Sequence, residues 1–141
     1  MLEKTDLSNK SNIPVGVKVD QLVKFVEKVW GHEEWIVNNQ KYCGKKLVLN
    51  KGYRCSIHKH DIKEETFYIL SGKVLMESEL EGKKEVRLMT PGDVLHVKVG
   101  MWHRFTGIED SQIMEFSTFH MDEDSIRREP SGKVDLKDLG F

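Results

Sequence analysis

Gly52-Tyr-Arg-Cys-Ser-Ile-His58-Lys-His60-Asp-Ile-Lys-Glu-Glu65-Thr-Phe-Tyr-Ile-Leu-Ser-Gly72 is the stretch on which the fold and the chemistry both turn. Side chains at i and i+2 of a strand share a face, so His58 and His60 point the same way, together with Arg54 and Ser56. A short turn at Asp61-Ile-Lys63 brings Glu65 alongside them from the next strand, where Phe67 and Ile69 share its face. Downstream, the run from Gly92 to Gly100-Met-Trp-His103 supplies a further imidazole. Three imidazoles and one carboxylate converging inside a barrel make a nitrogen and oxygen site for one divalent first-row metal, with positions left for water or substrate.

Outward from this stretch, short β-branched and aromatic runs follow one another: EEWIVNN, KKLVLNKG, KVLMESELEG, KEVRLMTPGD, VLHVKVG and SQIMEFSTFH. Ser71-Gly72, Glu81-Gly82 and Pro91-Gly92-Asp93 between them carry turn chemistry. Strands at such regular spacing predict an all-β fold, a small antiparallel sandwich or barrel, and no long helical pattern interrupts them for a parallel βαβ sheet. Residues 1–17 are polar and read as a flexible N-terminal arm, 18–122 as a single barrel, and 123–141 as a polar C-terminal extension. Between Asp20 and Val29 the apolar residues Leu22, Phe25, Val26 and Val29 fit a short helix, while VKFVEKV also alternates like a strand; the sequence leaves both open.

Composition bounds what such a barrel does. The 141 residues carry 22 Lys and Arg against 23 Asp and Glu, a formal charge of −1, which lacks the basic footprint of a nucleic-acid binder. No apolar run is long enough for a membrane span, and the N-terminus has no signal-peptide pattern, so a soluble cytoplasmic protein is expected. Cys43 and Cys55 show no metal or redox spacing and read as reduced packing residues.

GYRCSIHKHDIKEETFYILSG resembles the first cupin motif, G(X)5HXH(X)3-4E(X)6G, at every defining position. The second motif, G(X)5PXG(X)2H(X)3N, is met at Gly92, Gly100 and His103, with Lys98 in place of its Pro and Gly107 in place of its Asn. The resemblance implies a double-stranded β-helix, or jelly roll, with His58, His60, Glu65 and His103 as ligands of one Zn, Mn, Fe or Ni ion. A narrower resemblance, to the cupin domain of type II mannose-6-phosphate isomerases, rests on Trp30-Gly31, on Tyr42 and Lys45-Lys46 before Leu47, on GMWHRF, and on the closing EDSIRREPSGK. In that register His58 stands where the family has Gln.

That narrower resemblance implies a sugar or sugar-phosphate isomerase or epimerase. Such chemistry needs a Lewis acid and a base that moves a proton between neighbouring carbons. Glu115 is the preferred base, since in SQIMEFSTFH it alternates with Ile113, Ser117 and Phe119 toward the inside. His96 is a second catalytic candidate, facing either the cavity mouth or solvent. Arg54 shares the parity of His58 and His60 and suits a phosphate or acid group, or else a structural ion pair. Lys46, Tyr68, Trp102 and Arg127 are rim candidates that the resemblance suggests. A metal-dependent dioxygenase or lyase and a non-catalytic metabolite-binding cupin are the alternatives. A homodimer is expected, as cupins pair through an outer sheet and an N-terminal strand.

Overall fold

Cys43, Lys45, Leu47 and Leu49 are buried while the residues between them are half-buried, so one alternating strand already separates an inside from an outside. The protein, seen in a computed structural model that describes Ser8, Ser11 and residues 22–141, has thirteen strands among those residues, and β6 and β11 repeat this pattern. They are β1 (Lys24–Lys28), β2 (Gly31–Asn38), β3 (Cys43–Leu49), β4 (Tyr53–Arg54), β5 (Ile57–His60), β6 (Glu65–Ser71) and β7 (Val74–Leu80). The chain continues with β8 (Lys83–Met89), β9 (Val94–Val97), β10 (Trp102–Gly107), β11 (Ser111–Ser117), β12 (Ser125–Glu129) and β13 (Gly132–Lys133).

All pairings are antiparallel. One sheet runs β1-β2-β3-β11-β6-β9; the other runs β12-β5-β10-β4-β13, with β7 on the far side of β10 and β8 beyond it. The sheets face each other as a jelly roll, in agreement with the all-β expectation. Trp30, Leu47, Leu49, Phe67, Ile69, Val74, Met76, Phe105 and Ile113 close one part of the interior as an apolar core. Polar side chains occupy the rest, which is where the site lies.

Of the helix-or-strand alternatives for residues 20–29, the described part takes strand: β1 (Lys24–Lys28) pairs along β2, with Phe25 stacked on His32 at 5.5 Å, while residues 20 and 21 lie outside the described residues. The tight Val29-Trp30 connection requires Gly31, whose φ is +148° and whose hypothetical Cβ would stand 1.9 Å from the Val48 carbonyl oxygen. The flexible-arm reading of residues 1–17 falls outside the described residues, Ser8 and Ser11 apart. The segment after His120 is no free tail: β12 adds to β5 and β13 to β4. Arg104 explains part of this attachment. It is buried, and it donates from Nε to the Cys55 carbonyl, from Nη1 to Glu129 and from Nη2 to the Pro130 carbonyl.

Candidate metal centre

β5 and β10 pair with His103 directly opposite His58, and the i, i+2 spacing puts His60 on the same face. The ring centroids of His58 and His103 are 4.2 Å apart, those of His58 and His60 5.2 Å. Each ring is oriented by a backbone carbonyl at Nδ1: Ser56 for His58 at 2.9 Å, Asp124 for His60 at 3.2 Å, and Met101 for His103 at 3.0 Å. Only a protonated Nδ1 donates to a carbonyl, so each neutral ring keeps its hydrogen there and leaves Nε2 bare. One ligand atom from each histidine lies within 4.8 Å of the other two.

Glu65, first residue of β6, completes the group. Its Oε1 stands 3.0 Å from His103 Nε2 and 3.6 Å from His60 Nε2. With its hydrogen on Nδ1 toward the Met101 carbonyl, His103 has none at Nε2 to offer Glu65. Both Glu65 oxygens and His103 Nε2 are buried without a hydrogen-bond partner. Oε2 has the Lys63 ammonium as an ion-pair partner 3.1 Å away; the two costly orphans left, Oε1 and His103 Nε2, lie 3.0 Å apart, where one cation would satisfy both. The protonation states suit it. Burial holds His58 well below its ordinary pKa, and burial with the Lys63 charge brings His60 down to about 4. Burial would raise Glu65, but the His103 contact and the Lys63 ammonium outweigh it and hold the carboxyl well below its usual range. Neutral imidazoles and an ionised carboxylate are the metal-binding forms. The donor set therefore fits a divalent transition metal held by His58, His60, Glu65 and His103.

Beyond Glu65 the polar interior continues. Lys63 Nζ lies 3.1 Å from Glu65 Oε2, 3.1 Å from Glu115 Oε2 and 3.0 Å from His120 Nδ1. Burial opposes its charge, yet Glu115 and Glu65 hold its pKa above the ordinary lysine value. Glu115 faces inward on β11 between Ile113 and Ser117, and Ser117 Oγ donates to it at 3.1 Å. Burial, then the charge of Glu65, raises the Glu115 pKa against the pull of Lys63. His120 Nε2 donates in turn to Asp122 at 2.9 Å. Lys63, Glu65, Glu115, His120 and Asp122 line one cavity of about 620 Å³ together with Glu33, Trp35, Lys45 and Arg127, and β1 contributes to its wall.

The other anticipated residues stand elsewhere. His96 points outward at 49% side-chain exposure and meets Glu64 at 3.4 Å, because Leu95 and Val97 take the inward positions of β9. Lys46 and Tyr68 alternate with the inward Lys45 and Phe67 and so lie on the outer face; Lys46 pairs with Glu34 at 3.4 Å. Trp102 is likewise outside, with the Arg128 guanidinium 4.1 Å from its ring centre. Arg54 is half-buried and does not line the cavity. Its parity with His58 is broken between β4 and β5, where the consecutive residues Cys55 and Ser56 are both buried. Lys63, His120, Lys45, Glu33 and Trp35 escaped the sequence reading. For Lys45 the signal was alternation with Leu47 and Leu49, and for Lys63 its i, i+2 relation to Glu65.

The chain belongs to the cupin family: the cupin domain model matches residues 46–119, which contain the whole histidine and glutamate cluster. No curated protein matches the sequence. Among solved structures, oxalate decarboxylase from Bacillus subtilis superposes with a TM-score of 0.67 at 15% identity, over 74% of this chain and 30% of its own. KdgF from Halomonas sp. does so with a TM-score of 0.63 at 16% identity, over 74% of this chain and 98% of its own. CapF, a capsular polysaccharide assembling protein from Staphylococcus aureus, gives 0.63 at 17% identity over 76% and 34%. The chain thus spans about a third of the oxalate decarboxylase and CapF chains, and these likenesses are of fold. Among the described residues no helix is long and apolar enough to cross a membrane.

Proposed function

We propose that this cupin is a metal-dependent isomerase or epimerase of a sugar or sugar phosphate. The observation that carries the reading is Glu115: a buried carboxyl group on the wall of the metal cavity, hydrogen-bonded to Lys63 and Ser117. A bound divalent ion supplies Lewis acidity toward a carbonyl and the hydroxyl beside it. The side chains do the rest. Glu115, its basicity raised by burial and by the nearby Glu65 charge, takes the proton from the hydroxyl-bearing carbon and returns it to the neighbouring carbon. The hydroxyl proton passes to the former carbonyl oxygen, so product and substrate have the same atoms and no electron acceptor is needed. Lys63 keeps Glu115 oriented, and the apolar wall of Phe67 and Phe105 limits water.

Deuterium exchange tests this reading. The metal-loaded protein, incubated in D2O with a panel of aldoses and aldose phosphates, is expected to place deuterium at the carbon beside the carbonyl of at least one of them, detected by NMR. Glu115→Gln should slow exchange by about 10²-fold or more, as loss of a general base does. No exchange with any member of the panel rejects the isomerase. A second reading, a dioxygenase, draws on the three-imidazole donor set, which also suits Fe(II); oxygen consumption with substrate would select it.

A further inference from the structure

Two lysines are buried in the cavity, and they differ in what surrounds them. Lys63 is surrounded by Glu65, Glu115 and His120. Lys45 is 1% exposed and has a single hydrogen bond among the described residues, a long one of 3.4 Å to Glu33 Oε1. That oxygen already accepts from Trp35 Nε1 at 2.8 Å. One side of the ammonium is covered by the Trp35 ring, whose centre lies 4.1 Å away. An ammonium has three donors, and burying one with a single shared acceptor is costly unless something else meets it. Lys45 lies on the cavity wall, paired in register with Glu115 on the adjoining strand β11.

The charges on the cavity wall say what that something is. Lys45 and Lys63 stand against three carboxylates, Glu33, Glu65 and Glu115. A divalent ion on the histidines and Glu65 turns this deficit into a surplus of one positive charge. A ligand with one negative charge restores balance, and a buried site favours that over a dianion. The rim adds Lys24, Lys28 and Arg127 against Glu27 and Asp122, a field that draws anions inward.

We propose that Lys45 is the specificity-determining residue of the cavity and receives the carboxylate of a polyhydroxylated acid. This rests on the reading of the cavity as a sugar-type site and narrows its substrate to a sugar acid. The Lys45 ammonium donates to the carboxylate oxygens, while the rest of the ligand lies toward Glu115 and the metal ligands.

The experiment is calorimetric titration of the metal-loaded protein with D-glucuronate, D-glucose and D-glucose 6-phosphate. Glucuronate and glucose share a ring and differ in the oxidation of one carbon, so their difference isolates the carboxylate. Glucuronate is expected to bind at least about tenfold tighter than glucose, the worth of one charge-assisted hydrogen bond in a dry site. Lys45→Met should abolish that preference through a loss of glucuronate affinity of about tenfold or more. Lys45→Arg should keep a preference for the acid, and Lys46→Met, on the outer face, should change nothing. Equal affinity for glucuronate and glucose, binding of none of the three, or an unchanged preference in Lys45→Met overturns the proposal. A Lys45-dependent preference for glucose 6-phosphate over glucuronate overturns the carboxylate assignment. If Lys45→Met does not fold, as judged by its melting transition and metal content, Lys45→Arg and Lys45→Gln decide. The readout is affinity, so failure of the exchange experiment leaves this result standing, and the converse holds too.

Discussion

Asp124 serves the metal centre twice from one position. Its carboxylate accepts the backbone N–H groups of Asp61, Ile62 and Lys63 at 3.0, 3.1 and 2.9 Å, fixing the turn that presents Lys63 and Glu65. Its backbone carbonyl meanwhile accepts His60 Nδ1. Asp124→Ala keeps the carbonyl and removes the carboxylate, leaving three turn N–H groups without their acceptor. A loss of about 2–4 kcal/mol is expected from charge-assisted bonds of this kind. Metal content should fall as the turn carrying Glu65 loosens, whereas His60→Ala should lower metal content with a smaller change in stability. Denaturant melts and elemental analysis on both variants check the pair; full metal content in Asp124→Ala would show that the turn needs no such anchor. Nothing in the sequence marked Asp124 for this role. Its partners lie 61 to 63 residues away, and only the pairing of β12 with β5 brings them together. His58, His60 and Glu65 were legible because their spacing is local and a strand fixes which side chains share a face.

Elements were legible to the extent that alternation ran unbroken. β3, β6 and β11 keep strict period two, and Glu115 faces inward as the pattern required. Between β4 and β5 the period slips at Cys55-Ser56, and the inference about Arg54 slipped with it, because one residue out of phase turns every later side chain to the other face. Turns were legible where glycine is needed. Gly72, closing the first motif, has φ +88°, and a Cβ there would lie 2.2 Å from Ser111 Oγ and 2.4 Å from the Asp110 carbonyl oxygen. Gly82 has a comparable φ of +77° with nothing within 4 Å. Gly82→Ala should therefore cost about 1–2 kcal/mol, the backbone penalty alone. Gly72→Ala adds a clash with backbone that cannot move aside, and should cost about 3 kcal/mol or more. Equal melting temperatures for the two variants would mean that the contact at Ser111 relaxes without cost.

At the scale of the whole molecule, the outer face of the six-stranded sheet is the feature that a monomer leaves unexplained. Cross-strand partners form a row from Phe25 through Glu34, Lys46, Met114 and Tyr68 to Val94. Phe25 is 64% exposed, Val94 57%, and Phe116, one row over, 54%. Exposed apolar side chains grouped on one sheet face are what an interaction surface requires. A second copy is the expected occupant: in a twofold arrangement centred on the row, the row would meet itself reversed, setting Phe25 against Val94 and Lys46 against Met114 of the other copy, so that apolar side chains face one another. Lys46 and Tyr68, expected at the cavity rim from sequence, and His96, for which cavity mouth and solvent were both open, all belong to this outer face. Sedimentation at micromolar concentration is expected to give twice the chain mass of 16.4 kDa. Phe116→Glu should return the protein to monomer with its metal content intact, because Phe116 points away from the cavity that its neighbour Glu115 lines. A wild-type protein that sediments as a monomer would show that this face stays in water. A Phe116→Glu dimer would place the contact on another surface.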